Sequence, residues 1–78
     1  MGVTMDQYQN LGGGSGVTGY EIKRNSIKVQ FRDGSTYLYT YKSAGKETIK
    51  RMKELAKSGA GLQSYISQVV KKGYARKL

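Results

Sequence analysis

Lysine and tyrosine are the residues of this chain best suited to contact another molecule. Lysines recur every three or four positions from residue 42 to residue 57, a spacing that brings them onto one face of a helix. A row of ammonium groups can bind successive phosphates of a nucleic acid without reading its bases. An ordinary solvated helix face would show the same spacing, but few acidic residues interleave with this one. The expected nucleic-acid-binding residues are Lys42, Lys46, Lys50, Arg51, Lys53 and Lys57, with Lys71 and Lys72 at the margin.

The charge of the chain is concentrated in its second half. The net charge is +9, and residues 42–78 hold ten lysines and arginines against two glutamates. Such a distribution favours a polyanionic partner, which is either the backbone of RNA or DNA or an acidic protein surface. Charge alone does not show whether the partner is a nucleic acid or an acidic protein. An appendage domain that binds an acidic protein is therefore the alternative to a nucleic-acid-binding module.

Catalysis is not expected. The chain has no histidine and no cysteine, and its five acidic residues are scattered. It therefore lacks the usual general base and the usual metal ligands, and we expect no catalytic residue, metal or cofactor. No apolar run approaches the about 20 residues that span a membrane, and no signal-peptide pattern is present. We expect a monomeric, cytoplasmic domain without a membrane partner.

The elements that must position these residues follow from the periodicity of the chain. The glycine-rich stretch LGGGSG indicates a flexible N-terminal tail over 1–15. From Val17, apolar residues alternate in three short segments, which predict three strands. After Tyr41 the apolar period changes to that of a helix, and Ser43 is suited to cap it. A break at SGAG precedes a second helical pattern, and a basic C-terminal end follows over 75–78.

The predicted fold class is α+β, a three-stranded antiparallel β-meander followed by two helices packed on one face, within a single domain over 16–74. Parallel strands would contradict this order, as would a long helix before residue 40. The expected core residues are Ile27, Val29, Phe31, Ile49, Met52, Leu62, Ile66 and Val69.

The tyrosines of TYLYTYK could serve either a binding surface or the core. Tyr37, Tyr39 and Tyr41 occupy alternate positions, so they share one face of a strand. A two-residue loop at Asp33-Gly34 would place their rings among the basic side chains of the preceding strand. That arrangement is a platform on which bases stack.

A three-residue loop at 32–34 gives the opposite result, because a shift of one residue moves every side chain to the other face. Val29 would then lie opposite Tyr37, and the tyrosines would belong to the core. Since the core is otherwise short of large side chains, we expect this second register. Tyr37 and Tyr39 should be mostly buried, and Leu38 should be more exposed than either.

The stretch YEIKRNSIKVQFRDGSTYLY resembles the KTSC domain, a family named for a C-terminal extension of some lysyl-tRNA synthetases. The resemblance covers about residues 15–74. The family has no established activity, and RNA binding has been suggested for it, so the resemblance implies RNA rather than DNA as the polyanion. It also implies a structural role for the residues at the family's motif positions, which are Tyr20, Phe31, Gly34, Tyr37 and Tyr39. The family's Val-Pro step is missing, because this chain contains no proline.

Overall fold

The computed structural model describes residues 5–11 and 16–78 of the chain. These residues form an antiparallel sheet of five strands, whose order in space is their order in sequence. The strands are β1 (Asp6–Gln7), β2 (Val17–Ile22), β3 (Ser26–Phe31), β4 (Thr36–Thr40) and β5 (Arg76–Lys77). The helices are α1 (Tyr41–Ala44), α2 (Lys46–Ser58) and α3 (Leu62–Tyr65), which continues as a π-helical segment (Ile66–Val70).

The α+β class and the central three-stranded meander are confirmed, but the sheet is larger than predicted. β1 pairs with β2 at one edge, and β5 pairs with β4 at the other. Both added strands are two residues long. A two-residue strand carries no alternation of apolar and polar residues, so the pattern that predicted β2, β3 and β4 is absent there.

Residues 5–11 pack against the domain, so the expected flexible tail does not hold for them. Tyr8 is only 3% exposed, its backbone N–H donates to the Thr18 carbonyl over 3.0 Å, and its hydroxyl accepts a hydrogen bond from the Leu62 N–H. The Leu11 N–H donates to the Gly59 carbonyl over 2.7 Å. The remaining parts of the expected tail, residues 1–4 and the glycine-rich residues 12–15, lie outside the described residues.

The basic C-terminal end over 75–78, which was expected to follow the domain, is also part of the sheet. The Ala75 N–H donates to the Leu38 carbonyl over 2.6 Å, and the Leu78 N–H donates to the Thr36 carbonyl over 2.7 Å. These bonds satisfy polar groups along the edge of β4, which would otherwise be open to solvent.

The register between β3 and β4 is the one predicted for a three-residue loop. Val29 lies opposite Tyr37, and the Phe31 N–H donates to the Ser35 carbonyl over 2.8 Å. Gly34 has a φ of +91°, a conformation in which glycine carries little steric cost. Its N–H donates back to the Phe31 carbonyl over 2.9 Å and closes the turn.

This register places the tyrosines of β4 on the core side. Tyr39 is 2% exposed, as predicted, whereas Tyr37 and Leu38 are both half-buried. This register excludes the two-residue loop, which would have placed the tyrosine rings on a solvent-exposed face of the sheet.

The predicted N-cap of the first helix lies at a different residue. Thr40 caps α1, and Ser43 is its partner in a reciprocal pair: the Ser43 N–H donates to the Thr40 hydroxyl and the Thr40 N–H to the Ser43 hydroxyl, each over 3.0 Å. Gly45, with a φ of +97°, then separates α1 from α2. A capping box needs a polar side chain at both positions, and Ser43 supplies the second of them.

The predicted core is correct except at two positions. Ile27, Val29, Ile49, Met52 and Leu62 are fully buried, and Ile66 is 7% exposed. Phe31 is half-buried and packs against this core from its edge.

Val69 was predicted to be buried and is 56% exposed, while Val70 is 8% exposed. The cause is the π segment, in which the Lys71 N–H donates to the Ile66 carbonyl five residues earlier. A π turn contains more residues than an α turn, so the inward face moves from position 69 to position 70.

Candidate nucleic-acid interface

The lysine row predicted from the sequence runs along one side of α2. Successive helical residues are about 100° apart, so Lys46, Lys50, Lys53 and Lys57 fall on one strip. That strip borders the buried stripe of Ile49, Met52 and Ala56. Lys46, Lys50 and Lys57 are exposed, and their ammonium groups make no hydrogen bond or ion pair with another described residue.

Lys53 differs from the rest of the row because its side chain lies against the sheet. Its Nζ donates to the Arg24 carbonyl over 2.9 Å and lies 5.7 Å from the centre of the Tyr41 ring. This contact joins α2 to the turn between β2 and β3. The backbone of Arg24, which is an exposed residue, therefore lies beside Lys53, although the two residues are distant in sequence.

Nothing in the sequence indicated that Arg24 belongs beside the row. The position of this turn next to α2 depends on how the helix crosses the sheet. Lys23 is partly neutralised, since its Nζ lies 3.5 Å from a carboxylate oxygen of Glu21.

Arg51 and Lys42 are less well placed than predicted. Arg51 is one residue beyond Lys50, about 100° around the helix from it, and pairs with Glu54 over 3.3 Å. Lys42 is exposed but belongs to α1, which Gly45 separates from α2.

The remaining two predicted cations, Lys71 and Lys72, lie at a different place. They line a cleft of about 420 Å³ between the end of the β3–β4 hairpin, the π segment and the chain that follows it. We call this the aromatic cleft. Its other lining residues are Phe31, Asp33, Ser35, Tyr37, Tyr39, Ile66 and Tyr74.

The rings of the aromatic cleft pack on one another. Tyr37 contacts Tyr74 with ring centres 4.7 Å apart, and Phe31 meets Tyr37 edge-on at 5.7 Å. Tyr39 meets Tyr74 edge-on at 6.2 Å. Tyr74 lies outside the regular elements, and the Ala75 N–H bond to β4 fixes the chain directly after it.

Charge near the aromatic cleft is mostly positive. The Lys77 Nζ lies 5.8 Å from the centre of the Tyr37 ring, and Lys71 and Lys72 are both exposed. Asp33 is the acidic residue among those that line the cleft. Its carboxylate accepts hydrogen bonds from the Ser35 hydroxyl and N–H, which hold the pKa of Asp33 below its ordinary value.

Burial raises the pKa of Tyr39 to about 12, with smaller contributions from Tyr37 and Tyr74. The unfolded chain releases this proton near pH 10, so above that pH the folded state binds more protons than the unfolded state, and stability falls as the pH rises. We expect the contribution of the Tyr39 proton to the free energy of unfolding to be complete below pH 10 and to be lost progressively as the pH rises toward 12. It should amount to about 2 to 3 kcal/mol.

The test is the free energy of unfolding in urea between pH 9 and pH 12 for the wild-type chain and Tyr39→Phe. The phenylalanine variant should lose less stability over this interval, because it has no proton to release at this site. An equal loss in the two proteins would contradict the assignment to Tyr39.

The five residues that carry the resemblance to the KTSC domain all have packing or turn roles. Tyr20, Phe31 and Tyr37 pack against the core, Tyr39 is within it, and Gly34 makes the hairpin loop. These placements agree with a structural role for each of them.

No family model, curated protein or solved structure matches this chain. Within residues 5–11 and 16–78, no three histidine, cysteine, aspartate or glutamate side chains group closely enough to hold a metal ion. In the same part of the chain, no helix combines the length and the apolar character needed to cross a membrane.

Proposed function

We propose that this chain is a non-catalytic domain that binds the backbone of a nucleic acid, RNA in preference to DNA, through the lysine row of α2. In this proposal the domain is a cytoplasmic monomer and a distant member of the KTSC family. The association with RNA that has been suggested for that family supports the preference for RNA over DNA. The observation that carries the proposal is the run of exposed ammonium groups on α2. The contact of Lys53 with the Arg24 carbonyl also brings the basic β2–β3 turn against this helix.

The arrangement favours phosphate binding without base recognition. Lysine is a flexible point charge and cannot form the planar bidentate contacts that distinguish bases. Each lysine that neutralises a phosphate releases a condensed counterion, so affinity should fall steeply with salt. Binding should be weak, roughly 10⁻⁴ to 10⁻⁶ M at physiological salt, and similar for all sequences.

We expect the combined substitution of Lys46, Lys50 and Lys57 by glutamine to weaken binding to single-stranded RNA and to flatten its salt dependence. The slope of log K against log salt should fall by about 0.7 for each phosphate that the variant no longer neutralises. Isothermal titration at three salt concentrations measures both quantities. Because the three side chains are exposed, the variant should fold normally, which circular dichroism checks.

Lys50→Gln and Arg51→Gln form a matched pair for the control. They remove one charge each from adjacent positions of α2, but only Lys50 belongs to the row. Lys50→Gln should lower the salt slope, and Arg51→Gln should leave it nearly unchanged. An unaltered affinity and slope in the folded triple variant would reject the row, and binding of an acidic peptide in place of RNA would favour the alternative partner.

A further inference from the structure

The aromatic cleft combines aromatic rings with exposed cations, two features of sites that bind single-stranded nucleic acids. Its volume of about 420 Å³ lies within the range of small-ligand sites. Its walls come from parts of the chain that are distant in sequence, the β3–β4 hairpin on one side and residues 66–74 on the other.

The walls are rich in rings of the kind on which bases stack. Tyr37 and Tyr74 contact each other at a tilt of 59° and not in parallel, and Phe31 and Tyr39 meet these rings at their edges. Stacking on aromatic side chains is how many proteins hold unpaired bases, and it tolerates every base because each has a π face.

The cations of the cleft are available for a phosphate. The ammonium groups of Lys71 and Lys72 make no hydrogen bond or ion pair with another residue in the described part of the chain. Lys77 adds a third positive charge above the Tyr37 ring. The carboxylate of Asp33 carries the opposite charge and already accepts two hydrogen bonds from Ser35. Among the described residues at the cleft, the three lysines therefore face one acidic group, and that group is already hydrogen-bonded.

The backbone at Lys71 is strained. Lys71 has φ 52° and ψ −115°, and the Gly73 N–H donates to the Val70 carbonyl over 2.9 Å to close the turn. The Lys71 angles are those of the first central position of a type II′ turn, where glycine is the favoured residue. Such strained positions cluster at functional sites, and here the residue in the strained conformation is a cation that lines the cleft.

We propose that the aromatic cleft binds one unpaired nucleotide of RNA or single-stranded DNA, with the base against the aromatic rings and the phosphate at Lys71 and Lys72. This inference rests on the proposed function, since the lysine row of α2 would hold the backbone while the cleft holds a base. The cleft would make the domain select single strands over duplexes, because a paired base cannot enter it.

The first experiment uses the wild-type chain and needs no variant. The probes are an RNA octamer of uridines, the matching deoxyuridine octamer, an abasic octamer with the same number of phosphates, and an RNA duplex. A base in the cleft should shift the methyl resonances of Ile66, which lines it, through the ring current. The uridine octamer should cause this shift, and the abasic octamer and the duplex should not. Comparison of the two single-stranded octamers shows whether the ribose contributes.

The second experiment compares variants. Tyr74→Leu removes a stacking ring and keeps an apolar side chain, and it should weaken binding of the uridine octamer roughly 5- to 100-fold while leaving the abasic octamer unaffected. Lys72→Gln should weaken both octamers. Lys71→Gly should bind the octamers less tightly and yet melt at a higher temperature, because glycine relieves the backbone strain at that position.

The outcomes separate the cleft from the proposed function. If the uridine and abasic octamers bind equally and the Ile66 methyls do not move, the cleft is rejected and backbone binding by α2 stands. If no octamer binds, both proposals fail. If a glutamate peptide shifts Ile66 and the uridine octamer does not, the cleft is a protein site and the inference is overturned. Should Tyr74→Leu fold poorly, the Ile66 resonances of the wild-type chain and the Lys72→Gln variant decide the question.

Discussion

Replacement of Tyr8 by alanine is expected to reduce the free energy of unfolding by about 3 to 5 kcal/mol, as is usual for a buried aromatic residue. Tyr8 is 3% exposed and belongs to the hydrophobic core, although it lies in a segment whose sequence resembles a tail. A domain of this size has a total stability of about 4 to 12 kcal/mol. The variant should therefore be partly or fully unfolded at moderate urea concentrations, as measured by far-ultraviolet circular dichroism.

Two control variants separate the contributions of Tyr8. Tyr8→Phe keeps the ring but removes the hydroxyl that accepts from the Leu62 N–H over 3.3 Å, and should cost about 1 to 3 kcal/mol. Leu11→Ala changes a neighbouring side chain that is 68% exposed and should cost less than about 0.5 kcal/mol. Equal stability of Tyr8→Ala and the wild-type chain would show that residues 5–11 do not pack against the domain in solution.

The docking of Tyr8 illustrates what the sequence could not predict. The hydrogen bond from Leu62 to Tyr8 joins residues 54 positions apart, and no periodicity links them. The sequence pattern also does not predict β1 and β5. Each is a two-residue strand that forms only by pairing with the edge of the central sheet. Segments of this kind depend on the tertiary structure for their conformation and carry little local signal.

The central sheet was predictable because burial restricts it strongly. A shift of one residue between β3 and β4 would have exposed Tyr39 and Tyr37 and left only Leu38 for the core. The need to bury large side chains in a small domain selected the three-residue loop, and the pairing of Val29 with Tyr37 confirms it. The prediction for Val69 was wrong, because the spacing of the apolar residues was interpreted as that of an α-helix and the chain forms a π segment there.

The candidate interface was predictable only where it lies on one element. The spacing of Lys46, Lys50 and Lys57 sufficed to place them on one strip of α2. The position of Arg24 beside that strip and the convergence of Tyr74 with Tyr37 both arise from packing between distant segments. The aromatic cleft in particular requires the C-terminal chain to return to β4, whereas residues 75–78 were expected to lie outside the domain.

Gly59→Ala is expected to destabilise the chain by about 2 to 4 kcal/mol, which combines a backbone cost with a steric one. Gly59 ends α2 with a φ of +78°, and its N–H donates to the Leu55 and Ala56 carbonyls. A methyl group added there would lie 2.7 Å from the Gln9 Cβ. Since a Cβ is fixed to the backbone, the N-terminal segment would have to move away from α2.

Gly34→Ala is the matched control, because it isolates the backbone cost. Gly34 also has a positive φ, +91°, but nothing lies within 4 Å of the position that its Cβ would occupy. It should therefore lose only about 1 to 2 kcal/mol in urea unfolding. The difference between the two variants measures the clash with the N-terminal segment.

A second substitution tests the cause of that difference. Gln9→Gly removes the Cβ that the methyl group introduced at position 59 would strike, so in this background Gly59→Ala should cost no more than Gly34→Ala does in the wild-type chain. The coupling free energy from this double-mutant cycle should be about 1 to 3 kcal/mol. A coupling near zero would mean that Gln9 does not lie against the end of α2, the helix that carries the lysine row.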